Sequence, residues 1–304
     1  MSVTAKPGFK PTRIKRAKGD IAFTVVNTLC MVLFCLAILY PVLNVVSVSL
    51  SKDSYVYSGA VTFYPKGFQT QSYKTVLTSY SLWRSFANSI FVSVVGTLLT
   101  LIFTSLAAYP LAFARFYGKR LYTFMIMLTM WFGGGMIPTF LVVQGLGMVD
   151  TFWALIIPGL MSAYNMFILR NYFQQLPPEL EESAYIDGAT PPVALLFIIL
   201  PISAPSLAAI AMFYAVGNWN SYLDCLLYTN SGDLQVLQIY LRNLIDSAGA
   251  MDSIASISGK ETSQLSAETV KMTTIAVSII PILIIYPFLQ RFYTKGITVG
   301  AVKG

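Results

Sequence analysis

Two long stretches of this chain, residues 86–114 and 121–149, contain no charged side chain. A segment needs about 20 mostly apolar residues to cross the hydrocarbon core of a bilayer, and each stretch is longer than that. Charged residues make up only 11% of all 304 residues, whereas a soluble domain is about one quarter charged. The sequence therefore predicts an all-α, polytopic protein that is embedded in the lipid bilayer.

The apolar segments predict six transmembrane helices. The first is too long to be a signal-peptide core, so we expect an uncleaved span behind a basic tail of residues 1–20. The apolar stretch at 193–227 is too long for one span. Pro201 and Pro205 are expected to break it into a short helix beneath the bundle and the fifth span. The expected spans are 21–50, 86–114, 121–142, 151–173, 203–226 and 272–290.

The distribution of Lys and Arg predicts how these spans are oriented. With the N-terminus inside the cell, most of the basic residues fall on the cytoplasmic side, in agreement with the positive-inside rule. We therefore expect both termini in the cytoplasm, with a six-span domain at 21–292 and a C-terminal tail at 293–304. Loops 51–85 and 227–271 would lie outside, where they either contact an extracytoplasmic partner or merely cover the helix ends.

The composition excludes several kinds of chemistry. The chain has no histidine, which removes imidazole base catalysis and most transition-metal sites. Cys30, Cys35 and Cys225 lack metal-type neighbours and are expected to act as small apolar residues. The net charge of +7 comes from basic residues that flank apolar segments, which is typical of membrane topology rather than of nucleic-acid binding. We therefore predict no metal site and no nucleic-acid partner.

An acidic segment with small residues in its middle lies between the fourth and fifth expected spans. Pro177 and Pro178 can open a helix, and the carboxylates of its first turn favour the positive end of the helix dipole. Gly188 is expected to end that helix, and Thr190 and Pro191 to begin another. The small side chains would let another protein approach closely. An ordinary hairpin between two spans is the alternative.

This acidic segment resembles the EAA loop of the membrane subunits of bacterial ABC importers. The family pattern is Glu-Ala-Ala, three residues, Gly, nine residues, then Ile-x-Leu-Pro, and this chain keeps the spacing. Serine in place of the central alanine is the one departure, and it exchanges one small residue for another. Asp-Gly-Ala around the glycine is the form common in the sugar-importing branch. The residues at these positions are Glu182, Ser183, Ala184, Asp187, Gly188, Ala189, Ile198, Leu200 and Pro201.

Three further segments resemble the same family. Residues 108–112, followed by Arg115, are similar to the end of an inner span in maltose-type permeases. Residues 133–138 and 296–304 resemble one sub-branch that handles complex or polymeric saccharides. The resemblance implies the permease fold of a type I ABC importer, in the plasma membrane of a bacterium.

The resemblance also implies how such a chain works. In the family, the EAA loop forms a coupling helix that sits in a cleft of an ATPase subunit. Closure of two ATPase subunits would press on these helices and switch the spans between inward- and outward-facing states. This chain has no Gly-x-x-x-x-Gly-Lys-Ser/Thr loop for phosphate, so we expect it to bind no cofactor, with ATP and Mg used by the partner. The residues implied in this contact are Glu182, Ser183, Ala184, Asp187 and Gly188.

One six-span chain encloses a sugar poorly, and the resemblance implies a second, related permease with the pathway between the two. Two ATPase copies and an extracytoplasmic sugar-binding protein would complete the complex. The implied function is import of an oligosaccharide or a polysaccharide fragment. The chain itself would be a transport subunit and not an enzyme.

Polar and aromatic residues inside the spans are candidates for contact with the saccharide, because polar side chains are costly within a membrane. The alternatives are hydrogen bonds between helices and anchoring at the membrane interface. Glycines 133–135 would either break the third span beside the pathway or allow close helix packing, and we favour packing. The candidates are Asn88, Trp131, Tyr164, Asn165, Asn218, Trp219 and Asn220.

Three other functions are compatible with a membrane protein. An ion-coupled carrier tends to need carboxylates within the membrane, and Asp224 at the outer end of the fifth span is the only acidic residue in the six expected spans. An intramembrane enzyme would need a nucleophile and a base, yet no expected span has a lysine at depth. A scaffold that recruits an ATPase would share the acidic loop, but it would leave the polar intramembrane residues without a use.

Overall fold

The computed structural model describes residues 18–113, 116–258 and 266–301. The predicted basic tail up to residue 17, Arg115 and the end of the predicted C-terminal tail at 302–304 lie outside the described residues. Every regular element of the described segments is helical, which confirms the all-α prediction. The α-helices are α1 Lys18–Ser49, α2 Asp53–Tyr57, α3 Gln71–Leu77, α4 Tyr80–Ala112, α5 Lys119–Trp131, α6 Met136–Gly145, α7 Phe152–Ile156, α8 Ala163–Phe173, α9 Glu179–Ile186, α10 Pro191–Ala194, α11 Leu200–Ile202, α12 Ala204–Trp219, α13 Leu223–Tyr228, α14 Leu237–Ser258 and α15 Ala267–Ala301.

Among the described residues, three helices are continuous, long and apolar enough to cross a membrane, and they fall at the first, second and sixth expected spans. They cover Gly19–Ser49, Tyr80–Ala112 and Ala267–Pro287. The second begins at Tyr80 rather than at residue 86. The hydroxyl of Ser79 accepts a hydrogen bond from the backbone N–H of Leu82 at its start, and such a cap stabilises a helix N-terminus.

The third expected span, 121–142, is not one continuous helix. α5 ends at Trp131 and α6 begins at Met136, and the two helices meet at an angle of 113°. The three glycines between them weaken a helix, and Gly135 has a φ of +83°, outside the helical region. A Cβ added to Gly133 or Gly134 would find no described atom within 4 Å. Close helix packing at these glycines, the interpretation favoured from sequence, therefore has no packing partner at Gly133 or Gly134 among the described residues.

The fourth expected span, 151–173, is also interrupted. It consists of α7, which ends at Ile156, and α8, which begins at Ala163, and neither is long enough to cross a bilayer alone. Pro158 and Gly159 lie in the break. Proline lacks the backbone donor that would continue the helix, which explains why one apolar segment forms two short helices.

The fifth expected span contains the predicted break near Pro201. The helical segment Pro191–Ile202 meets α12 at an angle of 87°, with Ser203 at the corner. Within the first segment, Leu195–Ile199 form a π-helical turn. The predicted break into a short helix and a longer one is confirmed, and the sharp bend between them is an additional finding. The end of the span differs, since α12 stops at Trp219 rather than at residue 226.

The buried core lies where α4, α8 and α12 pack together, near the end of the bundle that carries α9. Tyr214 of α12 connects two other helices there. Its hydroxyl is 3.0 Å from Thr104 Oγ1 of α4 and accepts a hydrogen bond of 3.2 Å from the backbone N–H of Ser162, which precedes α8. The apolar side chains of this core include Ala108, Leu111, Met166, Leu169, Phe173, Leu195, Ile199 and Ile210.

A second contact region joins the end of α1 to α15 through small hydroxyl residues. Small side chains let membrane helices approach closely, and their hydroxyls can donate to a carbonyl one turn earlier. The Thr273 hydroxyl of α15 lies 3.4 Å from the Ser49 carbonyl at the end of α1. It donates to the carbonyl of Thr269 at 2.8 Å, and Thr269 donates to the carboxylate of Asp53 at 2.6 Å. Ser49 lies 2.8 Å from the hydroxyl of Tyr73 in α3. Polar residues therefore hold this part of the bundle together.

The segment 227–271, expected from sequence to be a loop, contains the helix α14. Before it, the carboxylate of Asp150 accepts hydrogen bonds from the backbone N–H groups of Asn230 and Ser231 and from the Ser231 hydroxyl, at 2.9 to 3.0 Å. These bonds, those from Ser231 first, lower the pKa of Asp150. Asp150 has a φ of +62°, a strained conformation for a residue with a side chain. Its carboxylate thus fastens the α6–α7 connection to the α13–α14 connection.

The buried core predicts a large stability difference between two leucines. Leu169 is 0% exposed, whereas Leu98 on α4 is 56% exposed. We expect Leu169→Ala to lower the free energy of unfolding by about 2–5 kcal/mol, because it leaves a cavity. Leu98→Ala, the matched control, should change it by about 0.5 kcal/mol or less. Thermal unfolding of the detergent-purified variants measures both, and equal shifts would show that this core does not carry the stability.

Candidate functional site

The acidic segment forms the short helix α9, as the sequence predicts. Pro178 stands at its N-cap, and the N–H groups of Glu181 and Glu182 both donate to the Pro178 carbonyl at 3.1 Å. Proline at this end has no N–H to leave unpaired. Three glutamates lie in the first turn, where the helix dipole favours negative charge. The local sequence is therefore sufficient to start this helix.

The end of α9 is fixed by Gly188, which also confirms the prediction. The N–H of Gly188 donates to the Tyr185 carbonyl at 3.1 Å, and the N–H of Ala189 donates to the Ala184 carbonyl at 2.9 Å. This pair of bonds is a Schellman motif, which needs a left-handed residue after the helix. Gly188 supplies it with a φ of +83°. The next helix begins at Pro191, as expected.

The five residues implied in an ATPase contact divide between the two faces of α9. Glu182, Ser183 and Asp187 are exposed on the face directed away from the bundle, and Gly188 is exposed at the helix end. Ala184 is only 3% exposed and packs against the chain itself. For Ala184 the structure supports a different role, because its small side chain lets α9 lie close to the bundle. The ATPase contact of the other four residues stays a prediction.

Ile186 was not singled out by the sequence pattern, yet it is the most exposed large apolar residue of α9. Its side chain is 86% exposed and lies one residue before the C-cap Asp187. An isoleucine in a short segment with four acidic residues is the signal that sequence reasoning could have used. Apolar anchors at the centre of an interface often contribute most of its binding energy.

Glu181, also missed from sequence, connects α9 to α4. Its Oε1 atom accepts hydrogen bonds from the hydroxyls of Tyr109 at 2.8 Å and Tyr185 at 2.9 Å. The Tyr109 hydroxyl, 3.3 Å away, lowers the pKa of Tyr185, but burial and the hydrogen bond and charge of Glu181 outweigh it, so the pKa lies above its ordinary value. Tyrosine hydroxyls keep their proton at neutral pH, so each of the two is a donor to Glu181. Their spacing of four residues places Glu181 and Tyr185 on one face of α9.

Two basic side chains hold the end of α4 close to this carboxylate. Arg170 of α8 donates through Nε to the Leu111 carbonyl at 3.1 Å, and Lys119 of α5 donates through Nζ to the Ala112 carbonyl at 3.2 Å. The last carbonyls of a helix have no partner within it and carry partial negative charge. Cations from two other helices therefore cap α4 at the point where α9 meets it.

The predicted pathway residues fall into an exposed and an engaged group. Trp131, Tyr164 and Asn220 are exposed in the single chain. Asn220 is the C-cap of α12, and its side chain accepts a hydrogen bond from Gln238 at 3.3 Å. Trp131 ends α5 immediately before the glycine break. These three side chains remain available to a ligand.

The other four predicted pathway residues are buried or partly buried. Asn88 donates to the carbonyls of Asp233 and Gln235 at 2.8 and 2.9 Å. Trp219 packs edge to face on Phe86, with ring centroids 5.9 Å apart. Asn218 donates to Thr97 at 3.4 Å. These contacts, together with the burial of Asn165, match the packing alternative, while a role toward a saccharide stays a prediction.

Asn218 also explains one glycine of α4. A Cβ at Gly96 would lie 2.7 Å from Asn218 Nδ2, which is closer than atoms can pack. The missing side chain leaves room for the amide of Asn218 between α4 and α12.

Among the described residues, no group of three or more Cys, Asp and Glu side chains is placed to bind a metal ion.

Apolar helices able to cross a bilayer, with a short acidic helix displayed at one end of the bundle, define a membrane-embedded helical protein. Comparison with known families identifies it further. The chain belongs to the family described as binding-protein-dependent transport system inner membrane component, whose sequence pattern matches residues 85–299. This confirms the resemblance to the membrane subunits of ABC importers.

Individual relatives cover nearly the whole chain. It is 38% identical over 274 residues to the polygalacturonan/rhamnogalacturonan transport system permease protein YtcP of Bacillus subtilis (strain 168), covering 90% of this chain and 96% of the relative. It is 30% identical over 270 residues to the arabinooligosaccharides transport system permease protein AraQ of Halalkalibacterium halodurans, covering 87% and 91%. The relatives therefore carry the complex-saccharide names that residues 133–138 and 296–304 suggested.

A solved structure shows the same fold. One chain of the crystal structure of a bacterial ABC transporter involved in the import of the acidic polysaccharide alginate matches with a TM-score of 0.83 and 34% sequence identity. The match covers 91% of this chain and 99% of the other. The type I ABC permease fold is thereby established for this protein.

Proposed function

We propose that this chain is one permease subunit of an ATP-driven importer that carries an oligosaccharide or a polysaccharide fragment from an extracytoplasmic binding protein into the cytoplasm. The observation that carries the proposal is α9. A helix with the spacing of the EAA loop begins and ends where that loop requires, and it displays acidic and apolar side chains outward. Membership of an inner-membrane transport family supports the same function.

The proposed topology has six membrane crossings within residues 21–292 and both termini in the cytoplasm. α1, α4 and α15 supply three crossings. The bent pair α5–α6 and the bent segment from α10 to α12 supply two more. α7 and α8 together supply the remaining one. This arrangement puts α9 on the cytoplasmic side, as the positive-inside rule requires.

In this proposal α9 is the coupling helix. Glu182, Ser183, Asp187 and Gly188 contact a cleft of the ATPase subunit, and Ala184 seats the helix against the permease. ATP and Mg are used by two such ATPase subunits, while a second, related permease completes the pathway. ATP can switch the spans between their two states only if it favours one arrangement of the complex over the other. The docked coupling helix transmits this preference to the spans.

The proposed substrate class follows from the relatives and from the exposed aromatic residues. The two relatives are named for polygalacturonan, rhamnogalacturonan and arabinooligosaccharides, and the solved transporter is involved in the import of alginate. All of these are oligomers or polymers of sugars. Trp131 and Tyr164 can offer ring faces to sugar rings, and Asn220 can hydrogen-bond to hydroxyl groups. These observations do not support an ion-coupled carrier or an intramembrane enzyme.

Purification of the intact complex from its native membrane tests the proposal. We expect a second permease, an ATPase and a sugar-binding protein to copurify with this chain, with a bound oligosaccharide. In reconstituted vesicles, uptake should require ATP on the side of α9 and should be unaffected by ionophores. Uptake that proceeds without ATP, or that ionophores abolish, would contradict the proposal and favour a secondary carrier.

Asn220 provides a test of the pathway. Replacing it with leucine removes the amide that would bond to sugar hydroxyls, a loss of about 1–1.5 kcal/mol, so the concentration for half-maximal uptake should rise by about tenfold. Asn230→Leu, at an exposed asparagine in the α13–α14 connection, is the matched control and should leave uptake unchanged. Equal uptake curves for both variants would return Asn220 to a packing role.

A further inference from the structure

Glu181 occupies the junction between α9 and the rest of the chain. We propose that it is a positioning residue that passes a displacement of α9 to α4 through the hydroxyl of Tyr109. This inference rests on the proposed function of α9 as a coupling helix and adds to it the contact through which that helix acts on α4. Glu181 thereby differs in role from its neighbour Glu182, which is directed outward.

The apolar attachment of α9 to the rest of the chain is weak. Of its eight residues, Ala184 is the one that is buried. Leu180 and Glu181 are half-buried, and Ile186 is almost fully exposed. So little buried apolar surface holds a helix only weakly, and the polar contact with α4 adds to the attachment.

The two hydroxyl protons of the cluster determine which of its contacts are hydrogen bonds. Three oxygen atoms lie within contact distance: Glu181 Oε1 is 2.8 Å from the Tyr109 hydroxyl and 2.9 Å from the Tyr185 hydroxyl, and the two hydroxyls are 3.3 Å apart. Each hydroxyl has one proton, and both protons are directed to the carboxylate at the shorter distances. The longer hydroxyl–hydroxyl contact then has no proton left. The bond between Tyr109 and Glu181 is therefore the charge-assisted link between the two helices.

Tyr109 lies next to the capped end of α4. Two and three residues further on, the Leu111 and Ala112 carbonyls accept hydrogen bonds from Arg170 of α8 and Lys119 of α5. A force on Tyr109 therefore reaches three helices at once. α4 itself has 33 residues and, as a continuous helix, extends for about 50 Å.

These helices lead to the residues proposed for the pathway. α8 carries Tyr164 near its other end, and α5 ends at Trp131. Further along α4, Gly96 and Thr97 contact the amide of Asn218. A shift of the α4 end by the coupling helix would thus move the elements that bear the exposed aromatic residues. The contact between Glu181 and Tyr109 thus connects the proposed coupling helix to the helices that carry the proposed pathway residues.

The test compares two tyrosines that donate to the same carboxylate. In the reconstituted complex of this chain with its partner permease, ATPase subunits and binding protein, Tyr109→Phe should lower the ratio of sugar imported to ATP hydrolysed by about fivefold. Tyr185→Phe is the matched control. It removes the same group from the same acceptor, but within α9, where such a pair is worth little, so the ratio should fall by about twofold or less.

Several outcomes decide the proposal. A wild-type ratio in Tyr109→Phe, or equal losses in both variants, overturns it. Glu181→Gln keeps the side-chain length and an acceptor oxygen but loses the charge, so it should give an intermediate ratio. Should Tyr109→Phe reduce assembly of the complex, the ratio of assembled Glu181→Gln complexes decides instead, and a wild-type value overturns the proposal. Absence of ATP-driven uptake in the unaltered complex would instead contradict the proposed function itself.

Discussion

Replacing Gly188 with valine should reduce the affinity of the permease for its ATPase subunit by about tenfold, without preventing insertion into the membrane. Gly188 has a φ of +83°, and a side chain in this left-handed region costs about 1–2 kcal/mol. A Cβ at this position would meet no described atom within 4 Å. The cost therefore arises from the backbone, and it would alter the end of α9 that carries Asp187. Titration of ATPase subunits onto the permease in lipid nanodiscs measures the change.

Gly188→Asn is the matched control for this experiment. Asparagine also adds a side chain at this position, but it visits the left-handed region more readily than valine does. It should keep most of the affinity if backbone conformation is the cause. Equal losses for asparagine and valine would indicate instead that the ATPase tolerates no side chain at this position. Unchanged affinity and vesicle uptake in Gly188→Val would show that α9 does not couple the permease to an ATPase.

The boundaries of α9 were predictable because they depend on local chemistry. Proline before the first turn, glutamates within it and glycine after the last turn act through the backbone of neighbouring residues. The bend near Pro201 was predictable for the same reason. These features need no knowledge of the rest of the chain, and the structure contains them at the predicted residues.

The breaks in the third and fourth spans were harder to predict. Apolar composition measures only whether a segment prefers the bilayer, and it does not register a change of direction inside that segment. Gly133–Gly135 and Pro158 were present as signals, but glycine in a membrane helix also serves close packing. Only the open space around Gly133 and Gly134 distinguishes the two uses.

The contact between Glu181 and Tyr109 could not be predicted from sequence at all. Tyr109 and Glu181 are 72 positions apart in the chain, and their contact exists only because α4 and α9 meet at one end of the bundle. The pathway residues show the same limit. The sequence does not distinguish an asparagine that faces a sugar from one that hydrogen-bonds to another helix, as Asn218 does to Thr97.

Ile186 is expected to be the main apolar anchor of the docked coupling helix. Its side chain is 86% exposed in the isolated chain, and burial in a cleft of the ATPase would remove most of that surface from water. Truncation to alanine at a well-packed interface position costs about 2 kcal/mol. We therefore expect Ile186→Ala to weaken ATPase binding by about thirtyfold, measured by the same titration in nanodiscs, and to lower ATP-driven uptake in parallel.

Ile137→Ala is the control, since Ile137 is also an isoleucine with most of its side chain exposed but lies in α6, away from α9. It should leave ATPase binding unchanged. Ile186→Leu keeps the apolar volume and should retain most of the affinity, because volume-conserving apolar exchanges usually cost little. If Ile186→Ala binds the ATPase as tightly as the unaltered chain does, the outer face of α9 is not buried in the complex. The contact would then have to be made through another surface of the permease.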